Sequence, residues 1–322
     1  MSTIILFIIT IILLIISANV YIKLARKFGI IDTPNHRSSH TLTTIRGGGI
    51  LFVISIFTYF FTNNLPLPYL FTAIFIVATV SFIDDIKTLG TISRLLAQII
   101  AVILVFFEVD LFSYPIYLII PILIFCLGFI NIYNFMDGIN GITGFYSISV
   151  IFAILALNYT TEIIDYKILI FALLGLLVFG YYNFRKKALF FAGDIGSISI
   201  GVFIVYLLLL FSLQLKSPLP FMFVSVYLVD GGVTILRRLL KKENIFKPHK
   251  SHLYQQLVHT KSISHLNVAG LFAFTQLIID ILIITILLNV SEGLQIILAT
   301  LIILLLIISH ITINRRLILS AS

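Results

Sequence analysis

The chain has 322 residues, of which 60% are hydrophobic and 11% charged, and its mean hydropathy is +1.15. Water-soluble domains of this size do not have such a composition, and apolar runs near the ~20 residues that span a bilayer recur along the sequence. We therefore predict an all-α, polytopic membrane protein with a single domain over residues 1–322. The net charge of +8 suggests nucleic acid at first, but membrane topology accounts for it, and no nucleic acid partner is expected.

Eleven transmembrane helices are predicted from the apolar runs. They cover residues 2–22, 48–62, 69–83, 95–107, 116–134, 143–158, 167–184, 198–213, 220–236, 268–288 and 295–313. The first run has basic residues after it rather than before it, which is the reverse of a cleaved signal peptide, so a retained helix is expected. The only cysteine, Cys126, lies inside a predicted helix and cannot form an intrachain disulfide.

The loops between these helices divide sharply by charge. Loops 23–47, 84–94, 135–142, 185–197 and 237–267, together with the C-terminal tail, hold 19 of the 21 Lys and Arg residues. The alternate loops hold only Lys167 and Lys216. Because basic residues stay on the cytoplasmic side, the N-terminus is predicted to lie outside and the C-terminus inside. All the dense polar clusters then fall on the cytoplasmic face, where they can form one active site.

The first cluster is Arg46 followed by Gly47, Gly48 and Gly49, with Arg37 nine residues earlier. Successive glycines at a helix start expose backbone N–H groups, an arrangement that suits an anion beside two arginines. A flexible loop that leads into a close-packed helix start is the alternative interpretation.

The second cluster is the adjacent pair Asp84 and Asp85, at the end of an apolar run. Neighbouring carboxylates repel each other and lose solvation at a bilayer edge, so they need cations or hydrogen-bond donors. Lys87 and Arg94 are close enough in sequence to neutralise them. The pair is predicted to bind a metal or metal-bound water or to transfer a proton; a polar helix end is the alternative.

Two further loops carry carboxylates beside glycines. Asn134 and Asp137 lie three residues apart, close to one face if the helix continues. Asp194 precedes another apolar run, where it is either a helix N-cap or a ligand for a hard cation such as Mg²⁺. Phe191, three residues earlier, either stacks on a base or anchors the chain at the membrane edge.

The largest loop is strongly basic and contains His249 and His252. Two histidines three apart could bind a transition metal, but imidazoles and ammonium groups around a phosphate fit the basic setting better. A basic loop that only sets the membrane topology is the alternative interpretation. Two carboxylates lie inside apolar runs. Asp230 is expected to face the site or pair with the basic loop, whereas Asp280 is assigned a structural role.

Taken together, these motifs resemble the polyprenyl-phosphate N-acetylhexosamine-1-phosphate transferase superfamily (glycosyltransferase family 4 type). The matching elements, in chain order, are Asp84-Asp85, Asn134 with Asp137, Phe191 with Asp194, and His249 with His252. The form Pro-His-Lys-Ser-His-Leu-Tyr-Gln at 248–255, with Arg46 and its three glycines, is most similar to the O-antigen-initiating branch. Two departures concern Asn140, where many relatives have a second Asp, and Asn183, after which the segment lacks the usual Pro and is one residue longer.

The resemblance implies transfer of an N-acetylhexosamine-1-phosphate from a UDP-N-acetyl sugar to undecaprenyl (polyprenyl) phosphate, with release of UMP. This would be the first membrane step of O-antigen or related cell-surface polysaccharide synthesis, in a bacterial inner membrane. Asp194 and Asp137 would hold Mg²⁺, with Mn²⁺ as an alternative. The implied catalytic residues are Asp84, Asp85, Asp137, His249 and His252. The implied substrate-binding residues are Asn134, Phe191, Arg94, Lys87, Arg37 and Arg46.

Two questions stay open at this point. A homodimer is compatible with the resemblance but not required by it. The competing function is a transporter or flippase of an anionic lipid-linked substrate, which would place ionisable residues along a path through the membrane midplane. Only Asp230 and Asp280 are clear carboxylates within apolar runs, so the transferase is preferred.

Overall fold

The computed structural model describes residues 2–33, 43–244 and 250–319 of the chain. Twelve α-helices lie in these ranges: α1 (Thr3–Phe28), α2 (Ile50–Thr62), α3 (Pro68–Ile86), α4 (Thr91–Glu108), α5 (Ile116–Phe135), α6 (Ile142–Thr161), α7 (Tyr166–Asn183), α8 (Gly193–Gln214), α9 (Ser225–Leu240), α10 (Leu253–Lys261), α11 (His265–Asn289) and α12 (Glu292–Leu319). Two short strands, β1 (Ile31–Asp32) and β2 (Thr44–Ile45), pair antiparallel between α1 and α2.

The predicted all-α membrane fold is confirmed. Over the described ranges, ten helices are long and apolar enough to cross a membrane, α9 counting together with the 3₁₀ turn Leu219–Val224 that precedes it. The shorter apolar helix α2 completes the eleven predicted from sequence. The remaining helix, α10, was not predicted, because its nine residues lie in the basic loop and do not form an apolar run.

Several helices extend beyond their apolar runs into polar sequence. Helix α1 continues past Ile22 to Phe28, where Arg26 and Lys27 complement the negative end of the helix dipole. Gly29 then closes the helix in the left-handed conformation, with φ of 67°. Helix α8 begins at Gly193 rather than at the predicted residue 198, so Asp194 lies in its first turn.

Helix α8 is the centre of the bundle. Nearly all of its residues are buried, and it packs against α3 and α5. A helix that is apolar on every side can be buried either by lipid or by other helices, and α8 is enclosed by other helices. By contrast, α1 and α12 are mostly exposed and form the periphery, where their apolar side chains would face lipid. Because α8 runs through the middle of the bundle, Asp194 in its first turn lies near the centre of one end of the fold.

The loops that precede α2 and α8 lie side by side at that end. Ile45 in β2 forms a parallel β-bridge with Phe190, and the Phe191 backbone N–H donates to the Ile45 carbonyl at 2.8 Å. This pairing brings Arg46 and the glycines after it against the start of α8. The end of α3, which carries Asp84 and Asp85, reaches the same place.

Candidate active site

The glycines after Arg46 allow two backbones to meet. The N–H groups of Gly48 and Gly49 donate to the carbonyls of Phe191 and Ala192 at 2.7 and 2.9 Å. A Cβ atom at Gly49 would overlap the backbone of Gly196. The glycines were predicted to offer free N–H groups to an anion; instead, two of these groups are used within the protein, and the alternative of a close-packed helix start is the one observed.

The anion at the start of α8 is the carboxylate of Asp85. Its two oxygens accept hydrogen bonds from the backbone N–H groups of Asp194 and Ile195, at 3.0 and 3.1 Å. Arg46 Nε lies 2.7 Å from Asp85 Oδ1. A carboxylate is stabilised at a helix N-terminus by the helix dipole and the unpaired N–H groups there. Asp85 therefore fixes the end of α3 to the start of α8.

Asp194 lies between two arginines that come from different elements. Arg46 Nη2 is 3.1 Å from Asp194 Oδ1, and Arg94 Nη1 is 3.5 Å from Asp194 Oδ2. Burial by itself would lower the pKa of the Arg46 guanidinium, but the carboxylates of Asp85 and Asp194 offset this and raise that pKa. Arg46 thus stays charged beside Asp194.

Asp84 faces the same cluster from the end of α3. Its Oδ1 accepts from the backbone N–H of Leu89 at 2.6 Å, and Arg94 Nη1 lies 3.4 Å from its Oδ2. Arg94 therefore bridges Asp84 and Asp194. The prediction that Arg94 neutralises the aspartate pair agrees with this contact for Asp84, whereas Asp85 is neutralised by Arg46.

Asp137 lies in the loop between α5 and α6, half-buried. Thr143 Oγ1 donates to its Oδ1 at 2.5 Å. Burial is the main cause that raises the pKa of Asp137 to about 6; the nearby charge of Asp194 also raises it, while the Thr143 hydrogen bond and Arg46 lower it. The charges of Asp194 and Arg46 therefore affect Asp137, and a cation bound beside Asp137 would stabilise its ionised carboxylate.

The other predicted site residues are placed as follows. Asn134, half-buried, lies in the last turn of α5, three residues before Asp137, and half-buried Phe191 lies three residues before Asp194. Lys87 is exposed just after α3 and takes no part in the ion pairs that the described residues form at the cluster. Arg37 and His249 lie outside the described residues.

His252 belongs to a second, buried cluster around Asp230. The Nδ1 atom of His252 and the Nε2 atom of His310 lie 3.4 and 3.3 Å from Asp230 Oδ1. Asp230 also accepts the backbone N–H groups of Leu253 and Tyr254, at 2.9 and 3.3 Å, and so caps α10. This is the expected pairing of Asp230 with the basic loop. The catalytic role of His252 stays a prediction, since its ring here is buried beside Asp230.

Helix α10 connects this second cluster to the Asp137 loop. The Tyr254 hydroxyl donates to the Phe135 carbonyl at 3.0 Å and occupies the space beside Gly138, where a side chain would clash with it. Asp230 therefore positions α10, and α10 supports the backbone just before Asp137.

Two asparagines that have no role among the predicted site residues join the loop after α5 to the segment between α7 and α8. Asn183 accepts from the Gly141 N–H at 2.8 Å and donates to the Phe190 carbonyl at 2.9 Å. Asn140 Nδ2 donates to the Arg185 carbonyl at 3.0 Å, which an ionised Asp could not do. The presence of Asn rather than Asp at position 140 was the available signal, because only the amide carries a donor.

The donor set fits a hard divalent cation. Asp84, Asp85 and Asp194 contact the guanidinium groups of Arg46 and Arg94, and Asp137 lies close enough for the charges of Asp194 and Arg46 to affect it. The site therefore has four carboxyl groups for two guanidinium groups. In the described ranges, no three His, Cys, Asp or Glu side chains are grouped so that they could hold a metal by themselves. Mg²⁺ sites commonly use one or two carboxylates and complete their coordination with water and substrate phosphates. Asp194 and Asp137 would be the residues that hold it.

Known proteins resemble this chain over much of its length. The model of glycosyl transferase family 4 matches residues 67–212. A probable undecaprenyl-phosphate N-acetylglucosaminyl 1-phosphate transferase of Bacillus subtilis is 27% identical over 276 residues, which cover 78% of this chain and 76% of that protein. A phospho-N-acetylmuramoyl-pentapeptide-transferase of Petrotoga mobilis is 28% identical over 208 residues, covering 55% of this chain and 64% of its own length. These matches support the resemblance of this chain to the polyprenyl-phosphate hexosamine-1-phosphate transferase superfamily.

The region that the family model matches contains only part of the site. The matched region includes the end of α3, the loop after α5 and the start of α8, which carry the four carboxylates of the cluster. Arg46 and the Asp230 cluster lie outside that region. The cation that lies closest to Asp85 and Asp194, the guanidinium of Arg46, therefore comes from a segment that precedes the matched part of the chain.

Proposed function

We propose that this protein transfers a hexosamine-1-phosphate from a UDP-N-acetyl sugar to polyprenyl phosphate and releases UMP. The observation that carries the proposal is the position of Asp194, between Arg46 and Arg94 at one end of a membrane-helix bundle. The Bacillus relative is named for the same class of reaction on undecaprenyl phosphate, which supports the proposal.

The cluster has the parts that phosphoryl transfer requires. This chemistry needs in-line positioning and stabilisation of charge on phosphate oxygens more than covalent help. The side chains of Arg46 and Arg94 are each 35% exposed, so their remaining N–H groups can reach a diphosphate. Mg²⁺, when bound by Asp194 and Asp137, would supply further neutralisation of that diphosphate.

In the proposed reaction, an oxygen of the lipid phosphate attacks the β-phosphorus of the UDP-sugar. A new P–O bond forms there, and the bond from the β-phosphorus to the bridging oxygen breaks and leaves UMP. Asp84 lies at the end of apolar α3, where a lipid phosphate at the bilayer edge would arrive. We propose that Asp84, held by Leu89 and Arg94, orients this acceptor, which is mostly ionised without help at neutral pH, as phosphomonoesters with a second pKa near 6 are.

The substrate and setting are proposed more specifically as follows. We assign the base-stacking role to Phe191 and the sugar-nucleotide contacts to Asn134, and we place the enzyme in a bacterial plasma membrane with its site facing the cytoplasm. A role at the start of O-antigen or a related surface polysaccharide is proposed from the residue pattern at 248–255 together with Arg46 and its three glycines. We also propose that the substrate phosphates are bound by Lys87, Arg37, His249 and His252.

The transport alternative is not favoured. Asp230 is engaged in capping α10, and Asp280 is fully buried, with its Oδ1 bonded to Gln276 Nε2 at 2.6 Å. Within the described ranges, Asp230 pairs with His252 and His310, Asp280 pairs with Gln276, and no hydrogen bond joins these two groups. A path for an anionic lipid would need ionisable groups that follow one another through the midplane.

The proposal is tested by giving the purified protein UDP-N-acetyl sugars, undecaprenyl phosphate and Mg²⁺, and by identifying the lipid product by mass spectrometry. Asp194→Asn is expected to lower turnover about 100-fold or more, as loss of a key electrostatic group does. Asp110→Asn, at an exposed position outside the cluster, is the matched control and should keep full activity. Equal activity of the two variants would contradict the assignment of Asp194.

A further inference from the structure

A groove runs between α1 and α7, away from the carboxylate cluster. It has a volume of about 660 Å³, and its lining includes Ile11, Ile15 and Asn19 from α1 and Leu174 and Val178 from α7. Its rim is open, because Ile15, Leu177 and Tyr181 are all exposed. Both helices are membrane-spanning, so this rim faces the acyl region of the bilayer.

The groove is apolar along its length and polar at one end. Asn19 Nδ2 donates to the Ile15 carbonyl at 2.8 Å and lies 3.4 Å from the Tyr182 hydroxyl. Arg185 Nε donates to the Tyr181 carbonyl at 2.8 Å, and its guanidinium lies 4.7 Å from the centre of the Tyr181 ring. These contacts fix the guanidinium over the groove end while only its Nε is used as a donor in the described contacts.

The opposite wall continues this positive charge. Ile11, Ile15 and Asn19 follow each other at a spacing of four along α1, and Lys23 is the next residue in the series. Residues four apart lie on the same face of a helix. Exposed Lys23 on α1 and Arg185 just beyond α7 therefore flank the same end of the groove, and none of the lining residues is acidic.

We propose that this groove is a binding site for an anionic glycerophospholipid. Its phosphate would lie between Asn19, Lys23 and Arg185, and its acyl chains would lie along Ile11, Leu174 and Val178. A basic residue near the membrane surface attracts anionic lipid, and here two flank one groove. The lipid is not the acceptor of the proposed reaction, because the lining shares no residue with the Asp84, Asp85, Asp137 and Asp194 cluster.

The groove is connected to the candidate site through one ring. Tyr182, in the groove wall, stacks on Phe190 with 5.1 Å between ring centres. Phe190 fills the space beside Gly48, and the next residue is Phe191. A lipid in the groove would therefore pack against Tyr182 and, through Phe190, stabilise the segment that carries the proposed base-stacking residue.

The chain contains no tryptophan, which allows a site-specific test on the full-length protein. We would introduce Leu177→Trp in the groove and measure quenching of its fluorescence by brominated phosphatidylglycerol and brominated phosphatidylcholine in reconstituted bilayers. Leu271→Trp in α11 is the matched control: both leucines are about half exposed and lie about 9 Å from the nearer helix end at 1.5 Å per residue.

We expect phosphatidylglycerol to bind at Leu177→Trp roughly fivefold or more tightly than phosphatidylcholine, the factor that one cation contributes. The preference should be absent at Leu271→Trp, should fall about fivefold at Leu177→Trp when Arg185→Gln or Lys23→Gln is added, and should be lost when both are added. Equal binding of the two lipids at Leu177→Trp would overturn the proposal. So would displacement of the brominated lipid by stoichiometric undecaprenyl phosphate, which would make the acceptor the occupant. The measurement needs no turnover and is independent of the proposed reaction.

Discussion

Gly49 and Gly196 bring the starts of α2 and α8 into backbone contact, with no room for a Cβ atom between them. Gly49→Ala should therefore separate the two helix starts and cost about 1–3 kcal/mol in the free energy of unfolding, as overpacking does. It should also lower turnover, because Arg46 and Asp194 sit on the two segments that would move apart.

Gly128→Ala in α5 is the control for that prediction, since nothing lies within 4 Å of a Cβ placed there. It should leave stability unchanged or raise it by about 0.5–1 kcal/mol, because alanine is favoured over glycine within a helix. Thermal unfolding of both variants checks the pair. An equal effect of the two would show that the Gly49–Gly196 contact has no special importance.

Asp137→Asn should stabilise the protein while it lowers turnover. The folded protein keeps a proton on Asp137 up to about pH 6, whereas an unfolded Asp, with its ordinary pKa, releases it near pH 4. The contribution of this group to stability is thus fully present below about pH 4 and is lost as pH rises through about 6. The amide removes that loss and still accepts from Thr143.

The measurement is the melting temperature of both proteins against pH, in chelator so that no divalent cation binds. We expect the Asp137→Asn variant to melt at a higher temperature than wild type at pH 8, and the difference to shrink toward pH 4. A variant that melts below wild type at pH 8 would contradict the conclusion that burial disfavours the charged carboxylate at this position.

Asp230→Ala should destabilise the protein by about 3–5 kcal/mol, because it leaves buried partners without their charged acceptor. The affected groups are the N–H groups that start α10 and the rings of His252 and His310. Glu292→Ala, at the exposed start of α12, removes the same charge and should have little effect. Denaturant titration of the two variants measures this difference. A small effect of Asp230→Ala, equal to that of Glu292→Ala, would show that the Asp230 carboxylate is not needed to cap α10.

The predicted sidedness can be checked with single cysteines. Ser113→Cys lies between α4 and α5, and Lys241→Cys follows α9; both positions are exposed. The charge distribution predicts that an impermeant thiol reagent labels the first from outside and the second only after the membrane is opened. Native Cys126 is buried and should stay unlabelled, which provides the background. Labelling of both cysteines from one side would contradict the eleven-helix topology.

The hydrophobic runs were sufficient to locate all eleven apolar helices, because burial in lipid requires long apolar segments. Their ends were less predictable. Polar residues such as Lys27 and Asp194 continue a helix through dipole and hydrogen-bond effects that hydropathy does not measure. Helix α10 was missed for the same reason. Its signal was local: His252 at the N-cap with Gln255 three residues later, whose side chain accepts from the His252 N–H.

The sequence was sufficient to predict which residues form the site, but not which of them contact each other. Asp84, Asp85, Arg46, Arg94 and Asp194 were each identified as site residues and do meet. Their pairing could not be predicted, because it depends on how loops far apart in sequence approach. The glycines illustrate this: glycine permits both anion binding and backbone contact, and only the neighbouring chain decides between them.

The most direct test of the proposed function identifies the nucleotide that is released. Attack at the β-phosphorus, which the arrangement of Arg46, Arg94 and Asp194 would favour, gives UMP and exchanges one diphosphate linkage for another. The reaction should therefore be reversible, and UMP added to the purified lipid product should regenerate UDP-sugar. Chromatography of the nucleotides decides the matter: the proposal predicts UMP and a back-reaction, whereas UDP as the primary product with no back-reaction from UMP would contradict it.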